Sequence, residues 1–318
     1  MKKLLNNITF FALVFGMICS IGAQNNNQLI IFHAGSLTVP FQKIIDGFKK
    51  DNPGVEVLKE IAGSRECARK ISELKKPCDV FASADYVVID QLLIPEFASW
   101  NLRFASNEMA IVYTAKSRRA KEISQNNWHK ILLDDKINFG RSDPNSDPCG
   151  YRTVLTMKLA ESFYKQKGLS DKVLSKDNEY IRPKEVDLLA LLEAGEVDYI
   201  FLYRSVAEQH GLKYLILPDE INLKKAELED HYKQVSVELS GKKPGEQITQ
   251  AGGSMVYGVT IPKNSPNHKL AIKFVLYLMD NEKGLKVMRE MGQPTVVPSL
   301  CEHYDKLPKE LKKFAKKK

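Results

Sequence analysis

Between Ser142 and Thr153 the chain reads SDPNSDPCGYRT, two Asp-Pro pairs and a Cys-Gly ahead of an apolar-periodic segment, VLTMKLAESFYKQKG. This is the chemistry of a helix start. Asp147 suits the N-cap, and Pro148 at the first helical position sacrifices no hydrogen bond. Such a start points free backbone N–H groups and a partial positive charge outward, which suits an anion. Asp147 is itself an anion, so a ligand held here must tolerate a carboxylate. Two further loops offer backbone amides and a hydroxyl: Ala34-Gly35-Ser36 in HAGSLT and Ala62-Gly63-Ser64 in IAGSRE. A lone Gly-Ser turn is an ordinary cap, but two on successive strand-to-helix turns converge on one crevice. Neither carries GxxxxGK[ST] or GxGxxG, so a nucleotide is not indicated. Arg141 is either an anion partner or a surface cation. Glu185, in RPKEVD, is a ligand candidate or a first-turn acid worth about 0.5 kcal/mol to its helix. Tyr203, in IFLYRS, ends a strand as a ligand or a half-buried core tyrosine. Cys149 at a helix N-terminus is a candidate nucleophile, but no histidine stands in a partner motif.

These residues need elements to hold them. QLIIFHAG reads as a buried strand running into the first Gly-Ser loop. SLTVPFQKIIDGFKKDNPG reads as an amphipathic helix with Phe41, Ile44, Ile45 and Phe48 on one face, stopped by Asn52-Pro53-Gly54. VEVLKEIAGS, RECARKISELKK, CDVFASAD and YVVIDQLL continue as strand, helix, strand and helix. After NEMAIVYTAKS the pattern restarts. KINFGRSDPNSDPCG is strand then loop, and YRTVLTMKLAESFYKQKG is a helix. PKEVDLLALLEAGEVDYIFLYRSVAEQHG is helix, strand and short helix, LKYLILP a strand, GGSMVYGVTIPKNSPN a strand closing on a turn, and HKLAIKFVLYLMDNEKGLKVMREMG a helix pair. Repeated β-loop-α units predict α/β lobes built on mostly parallel sheets, with ligands bound at the carboxyl ends of the strands. No internal repeat or low-complexity linker is present, so two lobes joined by strands fit better than two beads on a string.

The ends of the chain account for its charge. MKKLLNNITFFALVFGMICSIGAQ carries Lys2 and Lys3, an apolar stretch from Ile8 to Ile18 too short to span a bilayer, and Ile21-Gly22-Ala23 before Gln24. Residues 1–23 therefore read as a secretory signal peptide, with an uncleaved anchor as the alternative. Cys19 would mark a lipoprotein, though Gly16-Met17-Ile18 is a poor lipobox. The mature chain of ~295 residues suits two ordinary domains and carries no further span, so an exported soluble protein is expected. Of the net charge of +8, two lysines leave with the leader, and residues 306–318 hold seven lysines against one glutamate. The body is about neutral, and the basic tail is expected to be a solvated, frayed charge run. A nucleic-acid partner would need a basic patch with interleaved aromatics along the body, and there is none. Cys67, Cys78, Cys149 and Cys301 remain after export. Their spacing fixes no pairing, and one disulfide or buried free thiols stand equally open. Without a CxxC, and with scattered histidines, a zinc site is not expected.

Taken together, IIFHAGSLTVPFQKI, DVFASADY, DPCGYR, RPKEVDL, GEVDYIFLYRSVAEQHGLKYLILPDEINL and VYGVTIPKNSPN resemble the tungstate- and molybdate-binding receptors of the WtpA/ModA type. The match runs in order along nearly the whole mature chain. HAGSL alone would suggest only a type II periplasmic binding protein, while DPCGYR with RPKE and YRSVAEQH points to the WtpA branch. The resemblance implies a two-lobed type II fold joined by two hinge strands. Lobe 1 would comprise residues 24–108 with 256–305 and lobe 2 residues 109–255, with hinges near Asn107–Tyr113 and Met255–Thr260. It implies a monomeric, non-enzymatic receptor without a cofactor, which captures tungstate or molybdate and hands it to an ABC permease in the membrane. The family's oxyanion contacts fall on Gly35, Ser36, Ser64, Asp147, Pro148, Cys149, Glu185 and Tyr203. In this branch Asp147 and Glu185 would approach the metal itself, raising a tetrahedral oxyanion toward six-coordination. Mo(VI) and W(VI) are hard centres that accept oxygen ligands; the sulfur of sulfate is not. The SRECARK segment departs from the pattern through Arg65, Glu66 and Cys67, and the chain between the 151–167 helix and Glu185 is short. Three rivals remain: a sulfate, phosphate or ferric-ion receptor, an exported enzyme using Cys149, and a sensor lobe tethered to a partner.

Overall fold

The computed structural model describes residues 27–176, 178–243 and 245–318. The expected leader, with Cys19, lies outside them. In chain order the elements are β1 (Gln28–Ala34), α1 (Thr38–Asp51), β2 (Glu56–Ala62), α2 (Ser64–Ser72), β3 (Val80–Ser83), α3 (Tyr86–Leu92), β4 (Leu102–Ser106) and β5 (Met109–Tyr113). Then come α4 (Trp128–Leu132), β6 (Phe139–Ser142), α5 (Pro148–Phe163), α6 (Leu169–Lys176), β7 (Ile181–Arg182), α7 (Leu188–Ala194), β8 (Tyr199–Tyr203), α8 (Arg204–Gln209) and β9 (Lys213–Ile216). The chain closes with α9 (Glu229–Tyr232), β10 (Ser236–Ser240), β11 (Gln247–Ala251), β12 (Val256–Thr260), α10 (His268–Leu278), α11 (Gly284–Glu290), β13 (Ser299–Cys301) and β14 (Ala315–Lys317).

Two five-stranded sheets organise the fold, in the orders β2-β1-β3-β12-β4 and β7-β6-β8-β5-β9. In the first, β1 pairs in parallel with β2 and β3, and β12 runs antiparallel to β3 and β4. In the second, β6 pairs in parallel with β7 and β8, and β5 runs antiparallel to β8 and β9. Each sheet thus has one reversed strand, and the reversed strand is the one by which the chain arrives from the other sheet. The carboxyl ends of the parallel strands face one another across the gap, so a strand entering from that gap must run the opposite way.

The apolar faces seen in the sequence form the cores. Phe41, Ile44, Ile45 and Phe48 of α1 are buried, and Phe48 meets Phe274 of α10 edge-on with ring centroids 5.2 Å apart. Gly54, with φ +86, ends the turn after α1 in the left-handed region that favours glycine. All four cysteines of the described body are free and buried, which resolves the open alternative in favour of thiols.

The C-terminal segment corrects the expectation of a frayed charge run. A 3-10 turn over Lys309–Phe314 leads into β14, which pairs in parallel with β13. Leu311 is fully buried, and Phe314 packs against the main core. The lysines take the outside, as at Lys317 with Asp305 (2.8 Å) and Lys318 with Glu302 (3.2 Å). Two apolar anchors hold the segment while most of its lysines stay exposed or pair with acids. Leu311→Ala is expected to lower unfolding stability by about 2–4 kcal/mol in denaturant titration; an unchanged midpoint would mean the tail is not packed as described.

Candidate functional site

The loops leaving the parallel strands converge. β1 runs into Gly35–Leu37, β2 into Gly63 and the first turn of α2, and β3 into Asp85, the N-cap of α3. From the other sheet, β6 leads to Asp147, β7 to Glu185, and β8 ends at Tyr203. Asp147 caps α5 as expected: its Oδ1 accepts from the Cys149 amide at 3.3 Å, with Pro148 at the start of the helix. Its Oδ2 accepts from the Glu185 amide at 3.0 Å. Asp147 therefore organises two backbone segments and places the Glu185 carboxyl against itself. The first sheet closes over the pair. A Cβ on Gly35 would come within 2.8 Å of Glu185 Oε2, and one on Gly63 within 2.3 Å of the Ser146 carbonyl. The Arg65 and Glu66 amides, at the start of α2, donate to that same carbonyl at 3.1 and 3.2 Å. Only glycine at both positions permits this approach.

Asp147 and Glu185 are both fully buried. Neither Glu185 carboxyl oxygen has a well-formed hydrogen bond, although the Asp147 carboxyl and the Ser36 backbone lie beside it. Burial, and then the Asp147 charge, hold Glu185 well above the usual carboxyl range. Burial also raises Asp147, opposed by the neighbouring Glu185 and Ser142 side chains and by the Cys149 and Glu185 amides that donate to it. Glu185 is therefore the protonated member and Asp147 the carboxylate, because the amide donors converge on Asp147.

The structure brings Gly35, Ser36, Asp147, Glu185 and Tyr203 into one buried cluster and gives the other candidates separate work. Ser64 Oγ accepts from the Ala84 amide at 2.9 Å. The Cys149 amide is taken by Asp147, and its sulfur turns away toward the Phe201 carbonyl at 3.6 Å. Burial pushes that thiol well above its ordinary pKa, so it does not present a thiolate. Arg141 donates to the Ser142 carbonyl at 3.4 Å. Tyr203 is fully buried, and its hydroxyl accepts from Arg152 Nη1 at 3.1 Å.

Sequence reasoning placed Asn107 and Tyr257 in the expected hinge strands without giving their side chains a role at the site, and it did not single out Gln293. The Tyr257 hydroxyl donates to Ser36 Oγ at 3.1 Å and receives Asn107 Nδ2 at 2.9 Å and Gln293 Nε2 at 3.2 Å. Gln293 Nε2 also reaches the Ser36 carbonyl at 3.2 Å. These groups fix the Ser36 hydroxyl from the crossover between the sheets. Tyr257 lay inside the quoted VYGVT segment, but nothing local marks a strand tyrosine as a positioning group.

Residues 29–292 match the model of the bacterial extracellular solute-binding protein family. The chain belongs to that family. A solute-binding protein of Petrotoga mobilis is 47% identical over 309 residues, covering 96% of this chain and 95% of that protein. The molybdate/tungstate-binding protein WtpA of Pyrococcus abyssi is 39% identical over 338 residues, covering 96% of each. The solved periplasmic molybdate-binding protein of Azotobacter vinelandii aligns over 83% of this chain and 98% of its own, with a TM-score of 0.61 at 16% identity. The last likeness shows the fold alone: the type II periplasmic-binding-protein architecture.

In this solute-binding protein the raised Glu185 has a pH signature. A carboxyl whose pKa is raised on folding contributes stability that is fully present below the unfolded value, about 4.3, and is lost as pH rises toward the folded value. The Tm of ligand-free wild type should therefore fall relative to Glu185→Gln as pH rises from about 4 to 8. A difference that stays flat with pH would contradict the protonated assignment.

Proposed function

We propose that this protein captures tungstate or molybdate outside the cytoplasm and delivers it to an ABC permease, without chemistry on the ligand and without a resident cofactor. The observation that carries the reading is the buried Asp147–Glu185 pair against two glycine loops. The Asp147 carboxylate repels an ordinary oxyanion such as sulfate, and both carboxyl groups can serve as ligands for a hard metal centre. The Ser36 hydroxyl, Tyr203 and the loop amides then hold the oxyanion's oxygens. The 39%-identical relative is named for binding molybdate and tungstate, which supports the same ligand class here. Among the described residues no helix is long and apolar enough to cross a membrane, and membership of an extracellular family fits an exported, monomeric receptor. The sensor and Cys149-enzyme readings have less support, the second because the thiol is turned away and protonated.

A second mode is favoured by one observation: the buried Glu185 carboxyl lies against the Asp147 carboxylate with neither oxygen in a well-formed hydrogen bond. Held protonated, Glu185 would donate a hydrogen bond to an oxyanion oxygen instead of ligating the metal. The two modes differ in proton count. Metal coordination by Glu185 expels its proton, whereas hydrogen-bond donation keeps it.

Titration calorimetry of the mature protein with tungstate, molybdate and sulfate in buffers of different ionisation enthalpy tests both points. Tight one-to-one binding of the first two, no sulfate heat, and release of about one proton are expected. Asp147→Asn and Glu185→Gln should each weaken molybdate binding by about tenfold or more. Tight sulfate binding, or variants with unchanged affinity, would overturn the two-carboxylate account, and zero proton release would select the hydrogen-bond mode.

A further inference from the structure

The helix that carries Asp147 makes a second contact across the gap. One turn beyond the cap, Tyr151 and Arg152 of α5 reach Asp85, the N-cap of α3 in the first sheet. The Tyr151 hydroxyl donates to Asp85 Oδ2 at 2.6 Å, and Arg152 Nη2 lies 3.1 Å from that same oxygen. Arg152 Nη1 donates to the Ala84 carbonyl at 2.9 Å, beside Asp85, and to the Tyr203 hydroxyl at 3.1 Å. Asp85 Oδ1 is engaged separately, accepting from the Val87 amide at 3.0 Å to cap its own helix. One carboxylate oxygen thus serves its own lobe and the other is gripped by the opposite one. All three side chains are buried: Asp85 is 5%, Tyr151 1% and Arg152 2% exposed.

We propose that Asp85, Tyr151 and Arg152 form a latch that holds the two lobes closed and sets how long the oxyanion stays. The proposal rests on the receptor function above. Asp147, Tyr151 and Arg152 share one rigid helix, so ligand contacts that draw Asp147 toward the Gly35 and Gly63 loops also seat Tyr151 and Arg152 on Asp85. The chemistry suits a reversible closure. Desolvation of a buried ion pair offsets most of its attraction, so the pair adds little net preference for the empty closed form. A ligand with differential affinity for the closed state then tips the balance. Once closed, opening strips Arg152 and Asp85 of each other before water has reached them, which slows release. Arg65 and Arg69 also cross the gap, to the Asn145 and Ser240 carbonyls. Across the gap those contacts end on backbone carbonyls, while Arg69 pairs with Glu73 on its own side at 3.6 Å, and they frame the closure rather than latch it.

Stopped-flow measurement of molybdate association and dissociation with wild type, Asp85→Asn and Tyr151→Phe tests the latch. Asparagine keeps an oxygen for the Val87 amide, so α3 stays capped and the unliganded Tm should hold. Dissociation should accelerate about tenfold or more in Asp85→Asn and about threefold in Tyr151→Phe, with association within about twofold of wild type. Dissociation rates equal to wild type, or a loss confined to association, would overturn the latch while leaving the receptor function intact. If Asp85→Asn does not fold, Tyr151→Phe gives the same readout alone. Failure of wild type to bind molybdate or tungstate would remove the receptor function, and the latch with it.

Discussion

Two carboxyl groups share a dry site, and the surrounding structure is arranged around the need to keep them there. An unpaired buried charge is costly, so one member is held neutral and the other is given amide donors. Those donors are the first turn of α5 and the start of the segment at Glu185, and they meet only because β6 and β7 lie side by side in one sheet. The glycines at 35 and 63 follow from the same constraint. A Cβ at 63 would press into the Ser146 backbone carbonyl, and one at 35 against the Glu185 carboxyl, so glycine lets both loops lie close to the pair.

The topology serves this geometry. Parallel strands collect their carboxyl ends on one edge, and two such edges set face to face supply loops from both sides. The price is a reversed strand in each sheet, β5 and β12, at the places where the chain crosses. The crossings are not idle. Asn107, just before β5, and Tyr257, in β12, meet in a hydrogen bond that also orients Ser36. The connection between lobes and the orientation of a candidate ligand group are therefore parts of one network.

What the sequence made legible was local. Strand β1 and helix α1 announce themselves by periodicity, and Asp147-Pro148 by capping chemistry that depends on neighbours two residues away. Glu185 was nameable through its motif, but its burial was not, since it comes from Gly35 on another lobe. The β10–β11 hairpin was missed because SVELS alternates over only five positions and QITQA, largely exposed, carries a single strongly apolar residue. The C-terminal segment was misread because lysine count hid Leu311 and Phe314. Gln293 reaches Ser36 from 257 residues away, and no spacing rule spans that distance. Cys149 looked reactive because helix starts activate thiols. The turn of the helix, which sends its sulfur to Phe201, is not written in the letters.

The four thiols bear on where such a molecule can work. Cys67, Cys78 and Cys149 are each buried, with burial pushing the Cys67 thiol up to about 12 and the other two well above the ordinary thiol value. Nucleophilic attack and oxidation both proceed through the thiolate, so these sulfurs are inert bystanders. Among the described residues no disulfide closes the fold, and none ties one lobe to the other. The described fold therefore holds together without a disulfide, and a reducing agent has no cross-link to remove from it.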